Sequence, residues 1–146
     1  MLFSKVLVAY DGSNLSKKAL KQAVGVLQES HDPSLFPSLT VIHIAHTPIY
    51  AYAGSATPYY TAAMNYAEVD DSVFDEVRDI VPSTIRVHYV TKKGQPALTI
   101  LDYAAVHPCD LIVMGSRGLG PIREFFLGSV SHYVVQNAKV PVLIVK

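Results

Sequence analysis

Residues Leu111 to Met114 (LIVM) form an unbroken apolar run, and the chain that follows reads GSRGLGPIREFFLGSVS as far as Ser131. A strand without polar alternation is covered on both faces, which points to a parallel sheet with helices packed on either side. Gly115, Gly118 and Gly120 then remove side chains where the chain leaves that strand, so backbone amides are exposed there. Gly128, Ser129 and Ser131 open a helix-like segment that offers unpaired N–H groups, two hydroxyls and the positive end of a helix dipole. This combination suits a phosphate chain, although glycines also end strands and cap helices without binding anything.

The rest of the chain repeats the same alternation. Lys5 to Tyr10 (KVLVAY) is a compact apolar run, broken by Asp11-Gly12-Ser13. Ala19, Leu20, Ala23, Val24 and Leu27 then recur at helical spacing up to a helix end near Ser30. Asp11 falls at the carboxyl end of a strand, where ligands bind in open parallel sheets, and the same position suits a turn or helix-capping aspartate. After a loop over residues 31–38, Leu39 to Ala45 reads as a second strand. His43 and His46, three apart, point to opposite faces of it and cannot share one metal ion, so His43 reads as a hydrogen-bonded core histidine.

Residues 47–65 (TPIYAYAGSATPYYTAAMN) contain four tyrosines, two prolines and a glycine with no sustained period. We expect a long, mobile connection that gates or flanks a pocket, or a partly disordered insertion. Val69, Val73, Phe74, Val77, Ile80 and Val81 mark one face of a second helix, stopped by Pro82. Thr84 to Val90 alternates as an edge strand does, and Lys92-Lys93-Gly94 reads as a turn. Pro96 opens a third helix, where its missing N–H costs nothing, with a buried stripe of Ala97, Leu98, Leu101, Ala104 and Ala105. The last helix spans about Ser129 to Asn137 and leads into a final strand, Val140 to Val145, with Pro141 near its start. Five strands and four helices in alternation give an α/β fold, a parallel sheet with helices on both faces, in one domain over residues 1–146.

Lys plus Arg balances Asp plus Glu at 12 each, which gives nucleic acid no net charge to bind. No apolar stretch reaches the roughly 18 residues of a membrane span and no signal-peptide layout opens the chain, so a cytoplasmic protein without membrane contact is expected. The single cysteine, Cys109, excludes an internal disulfide and reads as a buried structural thiol. No Gly-Lys pair supports a P-loop, and no Gly-x-Gly-x-x-Gly follows the first strand. A nucleophile elbow, a His-Glu-x-x-His and clustered cysteines are likewise missing, and His132 reads as surface structure.

Gly115, Gly118, Gly128 and Ser129 fill the pattern Gly-x2-Gly-x9-Gly-Ser. With the apolar strand before it, Ser116-Arg117 inside it and Gly-Ser-Val-Ser within its end, the chain resembles the ATP-binding type of the universal stress protein family. Asp11-Gly12-Ser13 matches that family's opening motif, and only about residues 47–65 fall outside the resemblance. The resemblance implies a Rossmann-like fold of the adenine nucleotide alpha-hydrolase-like type, with strand order 3-2-1-4-5. On that order the switch point between the first and fourth strands brings Asp11 to Gly115 and Gly118.

It also implies a pocket for ATP, with Mg2+ or Mn2+ held indirectly through Asp11. Gly115, Arg117 and Gly118 would surround the ribose and first phosphates, and Gly128, Ser129, Val130 and Ser131 the outer phosphates. Ala9, Asp11, Ile44 and Met114 would complete the pocket, with backbone groups at Ile44 reading the base. No catalytic residue is expected, because no evident general base lies near the glycine turns and Arg117 can neutralise phosphate without hydrolysing it. The expected function is therefore a nucleotide-dependent regulatory or stress-response protein. A slow ATPase using Asp11 and a divalent cation, and a nucleotide-independent interaction module with a protein partner, stand as alternatives. Resemblance, together with an otherwise unpaired apolar edge over Val142 to Val145, implies a homodimer through the last strand.

Overall fold

A computed structural model describes residues 3–29, 36–46, 71–117 and 127–146. The strands are β1 (Lys5–Ala9), β2 (Ser38–His46), β3 (Arg86–Gly94), β4 (Leu111–Gly115) and β5 (Val142–Val145). They form one parallel sheet in the order β3-β2-β1-β4-β5, as the resemblance implied. The helices are α1 (Asn14–Gln28), α2 (Asp75–Ile80), α3 (Pro96–Val106) and α4 (Ser129–Asn137), with a 3-10 turn over Asp71–Phe74 leading into α2.

The period of two along each inner strand divides the core into two layers. Val6, Val8 and Tyr10, with Leu39, Val41, Leu111 and Val113, pack against Ala19, Leu20, Ala23 and Leu27 of α1 and against Phe74 and Val77. The opposite face, built on Leu7, Ile42, Ile112 and Met114, packs against Ile100 of α3 and Val134 of α4. Val8, Ile112 and Val113 are fully buried, which is why β1 and β4 read as continuous apolar runs. Burying one such side chain is worth about 1.5–3 kcal/mol.

At the amino end of the sheet Asp110 ties β1 to β4. Its Oδ2 accepts from Ser4 N–H at 2.8 Å and from Ser4 Oγ–H at 3.0 Å, and its Oδ1 accepts from Lys5 N–H at 3.0 Å. The neighbouring Cys109 is half-buried against the α3/α4 core layer. Burial pushes its thiol pKa up and the Asp110 carboxylate adds to the rise, consistent with a structural thiol.

Three boundaries differ from the sequence reading. Lys92-Lys93-Gly94 does not turn the chain; it continues β3 beside Ile44, Ala45 and His46. An edge strand can be this polar because the long β2 supplies its ladder and its outer flank faces water. Gly94 then ends the strand at φ +141, and a Cβ there would lie 2.9 Å from Thr99 Oγ1. β5 begins at Val142, with Pro141 contributing only a carbonyl that accepts from Ile112 N–H at 3.0 Å. The second helix is a 3-10 turn followed by the short α2, with Phe74 and Val77 buried. The tyrosine-rich stretch 47–65, Val69, Gly118 and Gly120 lie outside the described residues. Among the described residues no helix is long and apolar enough to cross a membrane.

Candidate functional site

β1 ends at the carboxyl edge of the sheet in a turn that closes on itself. Asp11 Oδ1 accepts from Ser13 N–H at 2.9 Å, and Gly12 takes φ +81, a conformation that favours glycine. Ser13 caps α1: its Oγ accepts from Ser16 N–H at 3.2 Å, while its carbonyl accepts from Lys17 N–H at 3.0 Å. Asp11 is thus a turn aspartate, and its half-buried carboxylate still stands at the mouth of the sheet. The next turn of α1 is tied to α2 by an ion pair between Lys17 and Glu76, and the bond to Glu76 raises the Lys17 pKa. Beneath it Tyr10 is buried, which together with the Glu76 carboxylate raises its phenol pKa.

β4 reaches the same edge beside β1. Gly115 lies so close to α1 that a Cβ there would sit 2.9 Å from Leu15 Cβ and 3.3 Å from the Leu15 carbonyl carbon. The Asp11 turn and the β4 exit, a hundred residues apart in sequence, therefore meet. The buried Ser116 follows, its N–H donating to Val145 O at 2.8 Å. The Ser116 carbonyl accepts from Gly128 N–H at 2.7 Å and from Ser131 Oγ–H at 2.7 Å. One residue thus joins β4, the end of β5 and the start of α4.

α4 opens differently from α1. Its cap residue Gly128 has φ −60 and ψ 159, nearly the backbone of the Ser13 cap at φ −67 and ψ 159. Gly128 has no side chain to close the helix, and the first helical bond runs from His132 N–H to Gly128 O at 2.9 Å. The N–H groups of Ser129, Val130 and Ser131 consequently find no partner within the helix. Unpaired N–H groups at the positive end of a helix dipole are what an anion requires. One correction concerns the two hydroxyls expected here. Ser131 is 1% exposed and its hydroxyl donates to the Ser116 and Gly128 carbonyls, so of the two serines only Ser129 presents an exposed hydroxyl.

The apolar floor comes from the α3/α4 face. Met114 is buried there, and Ala9, Ile44 and Val130 pack against the same cluster. Arg117, two residues past the end of β4, is half-buried, and Ser129 at the start of α4 is exposed. Every site residue expected from the sequence and described in the structure therefore lies at the carboxyl edge around β1 and β4. Gly118 is outside the described residues. Among the described residues no group of three or more His, Cys, Asp or Glu side chains could hold a metal ion.

Two contributors act in ways that residue type does not show. Ser116 acts through its main chain, for which no residue type is required. His43 is half-buried and hydrogen-bonded, as its position on β2 suggests: its ring Nδ1 lies 3.0 Å from the Tyr10 carbonyl, which makes Nδ1–H the donor. What that bond does at the β1 exit becomes visible only with the strand register.

The universal stress protein family model matches residues 2–146. Universal stress protein YxiE of Bacillus subtilis is 32% identical over 153 residues, covering 99% of this chain and all of that one. A universal stress protein of Thermus aquaticus is 36% identical over 146 residues, with 99% and 100% covered. Among solved structures, UspA from Lactobacillus plantarum superposes with a TM-score of 0.77 at 24% identity, covering 100% of this chain and 99% of that one. A universal stress protein in complex with cAMP gives 0.66 at 22% identity, with 99% and 97% covered. An Arabidopsis thaliana family protein with AMP bound gives 0.60 at 21% identity, with 98% and 90% covered. The structural likenesses establish the Rossmann-like α/β fold, and the family match over nearly the whole length establishes the rest: this chain belongs to the universal stress protein family.

Proposed function

We propose that this chain binds ATP at the carboxyl edge between β1 and β4 and acts as a nucleotide-dependent regulatory protein. The observation that carries the reading is the uncapped start of α4. A serine closes α1 on the same edge of the same sheet, whereas a glycine of nearly identical backbone conformation gives α4 no side-chain cap. An open helix N-terminus beside an apolar floor suits a ligand with phosphates at one end and an aromatic base at the other.

In this reading the α4 N–H groups and the Ser129 hydroxyl receive the outer phosphates. Gly115, Arg117 and Gly118 surround the ribose and the first phosphates. Asp11 turns its remaining oxygen, Oδ2, toward the ribose or a phosphate-bound Mg2+ or Mn2+. The base lies over Ala9, Ile44 and Met114. The family proteins solved with cAMP and with AMP support an adenine nucleotide as the class of ligand. No group is assigned to activate water, so binding and retention rather than turnover define the function. We further propose one cytoplasmic domain that pairs with a second copy through β5, one of the two edge strands of the sheet.

The test is to heat-denature the purified protein and chromatograph the supernatant. An adenine nucleotide with its absorbance near 260 nm is the expected result. Supernatant free of nucleotide, from protein that also takes up no added ATP, would shift the reading to an interaction module.

A further inference from the structure

We propose that His43 is a specificity-determining residue for the base, one that keeps the Ile44 N–H open by holding the Tyr10 carbonyl toward its own ring where β1 leaves the sheet. The inference rests on the nucleotide reading above and adds a device that selects adenine.

In a parallel ladder the N–H and C=O of one residue point to the same neighbouring strand, and residues two apart point alike. Ser38 donates its N–H to Ser4 O at 2.9 Å, and the Ile42 carbonyl accepts from Tyr10 N–H at 2.9 Å. The even-numbered residues of β2 thus face β1. Carried forward in this register, the next rung would run from Ile44 N–H to Tyr10 O. That rung is absent: the Tyr10 carbonyl is taken by His43 Nδ1–H at 3.0 Å. β1 ends at Ala9 and the chain leaves through the Asp11 turn. Among the described residues no group pairs with the Ile44 N–H, although its side chain packs in the α3/α4 core layer.

The substitution of partner is built in. The His43 ring is set edge-on to Phe74, with centroids 6.4 Å apart and planes at 89°, and Phe74 is 1% exposed. A ring held in this way cannot leave the Tyr10 carbonyl without disturbing a packed aromatic neighbour. Ile44 therefore presents one donor and one acceptor on adjacent main-chain positions, above the apolar floor of Ala9 and Met114. Adenine offers the matching pair, a ring-nitrogen acceptor beside an amino donor. Guanine offers an oxygen acceptor beside an N–H donor at the same edge, the reverse arrangement. A site whose buried polar groups match one pattern leaves them unpaired with the other, which is the strong form of discrimination.

The experiment compares ATP and GTP binding by calorimetry in the full chain, for wild type, His43→Ala and His43→Asn, with amide exchange followed at Ile44. In His43→Ala the freed Tyr10 carbonyl accepts Ile44 N–H. The Ile44 amide should then become protected, and the ATP-to-GTP affinity ratio should fall at least tenfold. Asparagine places Nδ2 where histidine places Nδ1, so His43→Asn should restore both readouts. Inorganic tripolyphosphate should bind wild type and His43→Ala with equal affinity, which separates a base effect from damage to the phosphate cradle. A folded, ATP-binding His43→Ala with an unchanged ratio, or an Ile44 amide already protected in nucleotide-free wild type, would overturn the inference. Failure of wild type to bind ATP at all would instead overturn the nucleotide reading, while Ile44 exchange still reports on the His43 bond.

Discussion

Gly115 and Leu15 touch across the seam between β4 and α1 so closely that a Cβ on Gly115 would lie 2.9 Å from Leu15 Cβ. The first glycine of the motif is thus required by packing before any ligand is considered. Its contact also fixes the Asp11 turn against the β4 exit. Gly115→Ala should cost about 1–3 kcal/mol through overpacking. At roughly 2–4 °C per kcal/mol for a domain of this size, the apo melting temperature should drop by about 2–12 °C. An unchanged melting curve would show that the seam has slack and that the glycine serves something else.

Ser131 works from behind the cradle. Its hydroxyl joins α4 to the Ser116 carbonyl at 2.7 Å without consuming any of the helix N–H groups. Ser131→Ala should lose about 1 kcal/mol of stability, the net worth of one buried hydrogen bond. It should weaken ATP more than adenosine if the helix end receives the phosphates as proposed. Ser131→Thr keeps the hydroxyl and should recover most of the ATP affinity. Equal losses for ATP and adenosine would place Ser131 under the base instead.

The fold was largely legible because its information is local and periodic. The LIVM run before Gly115 and the KVLVA run of β1 could only be strands covered on both faces, and Pro96 and Gly128 marked helix starts that the structure keeps. Legibility failed at Lys92 to Gly94, where edge pairing with β2 outweighed a turn-like composition. The site was legible as positions more than as roles. Asp11, Gly128 and Ser129 could be named from the motif, yet the side chain of Ser131 faces inward, and the Ser116 carbonyl is a main-chain hub that leaves no trace in residue type. His43 shows the same limit: one histidine on a strand becomes informative only beside the end of β1.

β5 tests the assembly proposal. Val142 and Ile144 pack into the α3/α4 core layer and Val145 against the α1 layer, whereas Leu143 is 36% exposed. A charge at Leu143 should therefore spare the core and act on the edge. Wild type should sediment as a dimer at micromolar concentration, and Leu143→Lys should move it toward monomer with its melting curve little changed. A monomeric wild type under those conditions would remove β5 pairing.

Gly128 gives the decisive comparison, because its φ and ψ already suit a capping side chain. Gly128→Asp should close the start of α4 as Ser13 closes α1, satisfying a helix N–H with a carboxylate that also repels phosphate. Thermal unfolding of nucleotide-free wild type and Gly128→Asp should then be measured with and without ATP at about 100 times the wild-type dissociation constant. Wild type should gain about 2.7 kcal/mol, a melting shift on the order of 5–10 °C. Gly128→Asp should remain folded and show no shift. Equal shifts in the two proteins would place the nucleotide away from α4 and contradict the site described here.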